Sequence, residues 1–193
     1  LFRGEDDPRD IGLSRLGYQY IAGILDHLPA ICAVTAPTVN SYKRLVTSGS
    51  VTGYTWAPVY ISYGDNNRSH AVRVPTKSPR MEVRSVDLTV NPYIASAMFL
   101  GAGLDGINRG LDPGDPIGDN MWELSDEELS NRDIEVIPRT LLEAIEAFEE
   151  DPLAEEVLGE QFAREYAEFK KQEWWDWHHT VSDWETNRYL KYW

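Results

Sequence analysis

Apolar residues recur along this chain with two periods, and the two periods divide it. Residues 13–33, LSRLGYQYIAGILDHLPAICA, place Leu16, Tyr20, Ile24 and Leu28 four apart, which predicts one helix with an apolar stripe. Ser14 stands where a hydroxyl can accept from an unpaired first-turn amide and so cap that helix. Further on, VYISYG, HAVRVP and MEVRSV are short, β-rich and closed by turn or polar residues, which predicts three linked strands and an antiparallel sheet. On the third strand Arg80, Glu82 and Arg84 share one face and Met81 and Val83 the other. Pro92 suits the first turn of a helix, and NPYIASAMFLGAGLDGI is apolar nearly all round, so it is expected to be deeply buried. LDPGDPIGDN is a turn-rich loop, PRTLLEAIEAFEED an acidic amphipathic helix from Pro138, and a long helix begins near Gly159. The expected fold class is α+β, an antiparallel sheet packed with helices, with residues 1–193 as a single unit because no linker or internal repeat interrupts them.

Composition narrows the function classes. At 42% apolar the chain can build a core, and its one cysteine, Cys32, rules out an internal disulfide, so a reducing, cytoplasmic home is expected. No stretch is apolar for long enough to cross a bilayer, and the N-terminus lacks both a signal pattern and an initiator Met, so the chain is expected either to start partway through a longer protein or to have been processed. A net charge of −14 argues against nucleic acid or an anionic membrane as partner. The charge is uneven: residues 1–100 hold ten Lys/Arg against eight Asp/Glu, and residues 101–193 hold eight against twenty-four. Lys43, Arg44, Arg68, Arg73, Lys77, Arg80 and Arg84 face only Asp65 and Glu82 within their stretch. That excess is either a solvated basic face or a pocket for a polyanion such as a nucleoside triphosphate.

Several motifs are absent or weak. Neither GxxxxGK[ST] nor GxGxxG occurs, and GAGLDG, inside an apolar helix, is better explained by close packing. His178 and His179 are adjacent and point in different directions, so with Asp176 and Asp183 they suit an aromatic cluster better than a metal site.

Four blocks in order carry the strongest signal: Asn40 to Leu45 (NSYKRL), Asn67-Arg68-Ser69 with Arg73-Val74-Pro75, Arg80-Met81-Glu82-Val83-Arg84, and Asp87 followed by Asn91-Pro92-Tyr93, with GLDGI closing the run. Their order and spacing resemble the C-terminal part of the glutamine synthetase catalytic domain. The resemblance implies an ATP-dependent carbon–nitrogen ligase: phosphoryl transfer from ATP to the γ-carboxylate of L-glutamate, then displacement of phosphate by an amine. It assigns Arg44 and Arg84 to the glutamate carboxylates and Arg68 to the transferring phosphoryl group and glutamate. Arg73, Lys77 and Arg80, with Arg68, fall to the ATP phosphates, and Glu82 to a divalent ion, Mg2+ or Mn2+. Arginine suits these tasks because its planar fork bonds two oxygens at once. The resemblance further implies a large ring-shaped homo-oligomer. Glu82 cannot hold two or three divalent ions alone, so these 193 residues are expected to be inactive by themselves.

Two departures from the family pattern bear on the amine. The bacterial flap glutamate, two residues before a Pro, is replaced by Trp56 before Pro58. An indole accepts no proton but offers an aromatic face to an alkylammonium. This loop and the SDWE…RYL ending resemble the glutamate–methylamine ligase and type III-labelled subgroup, so ammonia and a small alkylamine such as methylamine both stand as substrates. Trp122 occupies the place of the tyrosine that some members adenylylate, and it has no hydroxyl to modify. Five tryptophans between Trp174 and Trp193 are read as interface or core anchors. The competing reading is a non-catalytic structural or nitrogen-sensing assembly protein.

Overall fold

The computed structural model describes residues 1–46, 57–75, 77 and 80–192. Its helices are α1 (Arg15–Asp26), α2 (Leu28–Thr35), α3 (Pro92–Arg109), α4 (Asp126–Asn131), α5 (Leu141–Glu150), α6 (Pro152–Leu158), α7 (Glu160–His178) and α8 (Asp183–Tyr189), and its strands are β1 (Tyr60–Asp65), β2 (His70–Val74) and β3 (Glu82–Val83). The class is α+β, as the two periodicities predict.

The helix expected over 13–33 starts as read, with Ser14 Oγ accepting from the Gly17 amide at 3.2 Å. It ends at Asp26, and a second helix follows with Pro29 in its first turn. A proline ring clashes with the preceding turn and supplies no N–H, so one continuous helix cannot pass through it. The core face of α1 runs through Tyr18, Ile21 and Ile24, continued by Leu28 in α2, while Leu16 and Tyr20 are half-buried beside it. A four-residue spacing drifts around a 3.6-residue turn, so the predicted stripe wraps off the core face.

His27 sits at the break and joins three helices. It is 7% exposed, with Nδ1 2.7 Å from Asp151 Oδ2 and Nε2 3.0 Å from Asp105 Oδ2. Burial alone would lower its pKa, but the two carboxylates prevail and raise it to about 9, so the ring is a cation donating to both. Asp151 also caps α6, accepting from the Leu153 amide at 2.9 Å. Arg109 binds Asp105 at 2.8 Å and Asp26 at 2.7 Å.

The GAGLDG segment works by packing. A Cβ on Gly106 would collide with the Gln19 carbonyl and the Gly23 backbone, and one on Gly103 with the Tyr20 ring, so α1 and α3 touch backbone to backbone. Only part of α3 is buried: Ala95, Met98, Ala102, Gly103 and Gly106 face inward, whereas Tyr93, Leu100 and Leu104 are exposed in the single chain. The expectation of deep burial all round is therefore corrected to one face. The main core gathers Ile21, Ile31, Met98, Leu141, Ile145 and Phe148 where α2, α5 and α7 pack together and α1 meets α3.

The sheet also departs from expectation. β2 and β3 pair antiparallel, Arg73 opposite Glu82, but β1 and β2 pair parallel, with Tyr60 opposite His70 and Asp65 opposite Val74. Parallel neighbours ordinarily need a long crossover. Here only the four residues 66–69 lie between the two strands, and they form a bend and a turn, with Asn67 Oδ1 accepting from Ser69 N–H. Asn66, at φ +47°, makes the reversal, and the register slips between Tyr60 and Tyr63. The other edge of β1 is covered, since Ile61 N–H donates to Glu135 O, Ile137 N–H to Val59 O, and Ile117 N–H to Tyr63 O.

Candidate active site

The basic residues of the sequence converge on the β2–β3 end of this sheet. Glu82 lies opposite Arg73 in the ladder, so the two side chains share a face. Arg73 Nη1 donates to Glu82 Oε2 at 2.9 Å, and Arg80 pairs with Oε1 at 2.7 Å. Burial would raise the Glu82 pKa, but the two guanidiniums outweigh it and hold the carboxyl below the usual carboxylate range. Arg73 Nε is buried with no hydrogen-bond partner among the described residues.

Arg84 is the centre of positive charge. Its Nη1 donates to the Arg68 carbonyl, which ties β3 to the β1–β2 connection. Its pKa is lowered, first by burial and then by the charges of Arg68, Arg73 and Arg44, with Glu82 opposing them. Three further guanidiniums therefore act on that of Arg84. Arg44 follows the 3-10 turn Ser41–Lys43 and donates from Nη2 to the Ser85 carbonyl at 2.9 Å. Next to it, burial would raise the pKa of Asp87, but the hydroxyls of Ser41 and Thr89 and the charge of Arg44 lower it. Arg44, Arg68 and Arg80 are exposed, although Arg80 is paired with Glu82 and Arg44 donates to the Ser85 carbonyl.

Mutually repelling cations with exposed forks are matched by a multiply charged anion carrying several oxygens, such as a triphosphate or a dicarboxylic amino acid. Two concave surfaces lie elsewhere: a cavity of about 200 Å³ adjoins Phe148, Glu155, Ala163 and Arg164, and a groove of about 630 Å³ runs past Arg9, Arg15 and Gln19. The arginine cluster is marked by its charge.

A sequence profile described as "glutamine synthetase, catalytic domain" matches residues 1–189. The chain belongs to the glutamine synthetase catalytic-domain family. Among its relatives, the glutamate–methylamine ligase of Methyloversatilis universalis is 45% identical over the whole chain and 43% of its own length. The glutamine synthetase of Halobacterium salinarum is 43% identical over 99% of the chain and 41% of its own length. A solved GmaS/ADP complex superposes with a TM-score of 0.84 at 38% identity, covering 99% of the chain and 42% of that structure. The chain thus spans less than half the length of the relatives it matches.

Within this member of the family, Arg44, Arg68, Arg73, Arg80, Glu82 and Arg84 come together as the four blocks imply. Lys77 is exposed and makes no ion pair among the described residues. Trp56 lies outside the described residues. Glu82 offers a divalent ion one carboxylate, with each oxygen already held by an arginine, whereas such ions take about six or more oxygen ligands. Among the described residues the one group spaced to hold a metal is Asp26, His27 and Asp105, and its carboxylates are already bridged by Arg109 and His27.

Residue roles hidden in the sequence concern support. Asn67 Oδ1 accepts from Ser69 N–H and Oγ–H at 2.9 and 2.7 Å, and its Nδ2 donates to Asp119 O at 2.6 Å. Ser69 Oγ accepts from Met121 N–H at 3.1 Å. The turn-rich loop 111–121 thereby backs the connection that carries Arg68, a contact across some fifty positions that no local pattern reports.

Proposed function

We propose that this chain supplies the arginine-rich part of the active site of an ATP-dependent glutamate–amine ligase, and the convergence of Arg44, Arg68, Arg73 and Arg84 supports this reading most directly. Arg44 and Arg84 hold the carboxylates of L-glutamate, while Arg73, Lys77 and Arg80 face the ATP phosphates. Arg68, on the tight connection between the two sets, neutralises charge on the phosphoryl group as it moves. A γ-carboxylate oxygen attacks the γ-phosphorus and ADP leaves, giving γ-glutamyl phosphate. The amine nitrogen then attacks the acyl carbon, phosphate leaves, and the nitrogen loses a proton. Both steps concentrate negative charge, which fixed guanidiniums stabilise without reorganising.

Glu82 would be one ligand of a divalent ion, Mg2+ or Mn2+, which would neutralise charge on the nucleotide phosphates. The remaining ligands come from parts of the protein beyond these 193 residues, which contribute the C-terminal part of the catalytic domain. The amine is ammonia or a small alkylamine such as methylamine, the latter named in one relative. Trp175, Trp177, Trp184, Leu190 and Tyr192, exposed in the single chain, support assembly into a ring-shaped homo-oligomer, which light scattering checks.

The experiment is an assay of the full-length protein with ATP, L-glutamate and either ammonia or methylamine. Formation of a γ-glutamyl amide with equimolar ADP and phosphate is expected. ATP binding without amide formation from either amine would instead support the structural or sensing reading.

A further inference from the structure

Beneath the connection that carries Arg68 lies a histidine that no step of the proposed reaction uses. His70 opens β2 directly after Asn67-Arg68-Ser69 and is fully buried. Its Nδ1 lies 2.8 Å from Ser62 Oγ on β1, and Nε2 has no hydrogen-bond partner among the described residues. The ring occupies the space that a side chain at position 64 would need. A Cβ built on Gly64 would stand 2.5 Å from Nε2 and also collide with the Ile117 carbonyl. The imidazole and loop 111–121 therefore converge over one glycine, and the loop is anchored there by Ile117 N–H donating to Tyr63 O at 3.0 Å.

We infer that His70 is a positioning residue for Arg68, setting the height of the 66–69 connection by wedging its ring between β1 and loop 111–121. Three contacts make this mechanical. Asn67 reaches the Asp119 carbonyl, Ser69 accepts from the Met121 amide, and His70 fills the gap between them and β1. Arg68 lies between Asn67 and Ser69, so its Cα is held wherever those two are held. Its carbonyl is held in turn by Arg84. A smaller side chain at 70 would let the connection settle toward β1 and shift the guanidinium. A shift of about 1 Å at a charge-stabilising group is enough to cost roughly a hundredfold in rate.

The ring also suits the surrounding charge. Burial drives its pKa down to about 4, against small opposing effects from the Ile117 carbonyl and Asp119, so it adds no positive charge beside Arg68 and Arg84. A Lys or Arg filling the same space would add one.

The inference rests on the ligase reading, and the test separates the two. In the full-length protein, His70→Ala is expected to lower kcat for γ-glutamyl amide formation by about ten- to a hundredfold while KM for ATP changes less than about threefold. His70→Asn, whose amide can reach Ser62 in place of Nδ1, should recover part of that loss. In an Arg68→Ala background, His70→Ala should have no further effect on kcat, because the group it positions is gone. If wild type makes no amide with any amine, the ligase reading fails. If wild type is active and His70→Ala keeps full kcat, or the two substitutions act additively, this inference alone is overturned. Melting temperatures of all variants are compared, and a loss of stability with unchanged kcat below the transition likewise overturns it.

Discussion

Arg73 and Glu82 face each other across the β2–β3 ladder, joined at 2.9 Å, and Glu82 sits between two guanidiniums, those of Arg73 and Arg80. Glu82→Gln keeps the size and one acceptor but removes the charge. Arg73 is left half-buried without a counter-ion, so the full-length protein should lose about 1–2 kcal/mol of stability by denaturant titration. The divalent-ion concentration giving half-maximal activity should rise about tenfold or more. An unchanged metal requirement would make Glu82 a structural partner of Arg73 and remove it from the ligand set.

Arg68→Ala should lower turnover more than it weakens ATP binding, because the charge that Arg68 meets develops during transfer. Removing one preorganised donor of this kind costs about two to three orders of magnitude in kcat. Steady-state kinetics with ATP varied checks this; a raised KM with normal kcat would place Arg68 on the bound nucleotide instead.

Amine choice is expected to follow Trp56. A methyl group gains roughly 0.8 kcal/mol on leaving water, and an indole attracts an alkylammonium by about 0.5–2 kcal/mol. Together these favour methylamine over ammonia by about one to two orders of magnitude in kcat/KM. Trp56→Glu should shift preference to ammonia, and Trp56→Ala should weaken use of both. A wild type that prefers ammonia, with a ratio unmoved by Trp56→Ala, would confine the tryptophan to packing.

Stability should fall on both sides of neutral pH, through two buried histidines of opposite sign. His27 has a folded pKa of about 9, above the unfolded value of 6.5, so its contribution is full below pH 6.5 and is lost as pH rises through 9. His70 has a folded pKa of about 4, below 6.5, so the folded state is penalised progressively as pH falls from 6.5 to 4. Each shift corresponds to about 3 kcal/mol at its limit. Denaturant titrations from pH 4 to 9.5 should show His27→Ala flattening the alkaline limb and His70→Ala the acid limb. A limb unchanged by its substitution means that the pairing assigned to that histidine is wrong.

Local chemistry made much of this protein legible from sequence alone. Ser14 caps its helix because a short polar side chain reaches the next amides whatever lies beyond, and Pro92 opens α3 because a first-turn residue needs no N–H. Within the block Arg80 to Arg84 the alternation expected of a strand places Arg80 and Glu82 two apart, and the structure pairs them. The run of blocks fixed the family because their order survives without knowledge of contacts. Tertiary structure decided what depends on distant partners. Pro29 split the first helix, and His27 at the break became a cation only because Asp105 and Asp151 arrive from α3 and the start of α6. β1 pairs parallel to β2 across only four intervening residues, with Asn66 left-handed, an arrangement that the alternating strand pattern does not report. His70 is an ordinary strand residue in the sequence. Its role arises where β1, β2 and loop 111–121 meet over Gly64, because a buried ring's function is set by the walls around it, and those walls are some fifty residues apart in the chain.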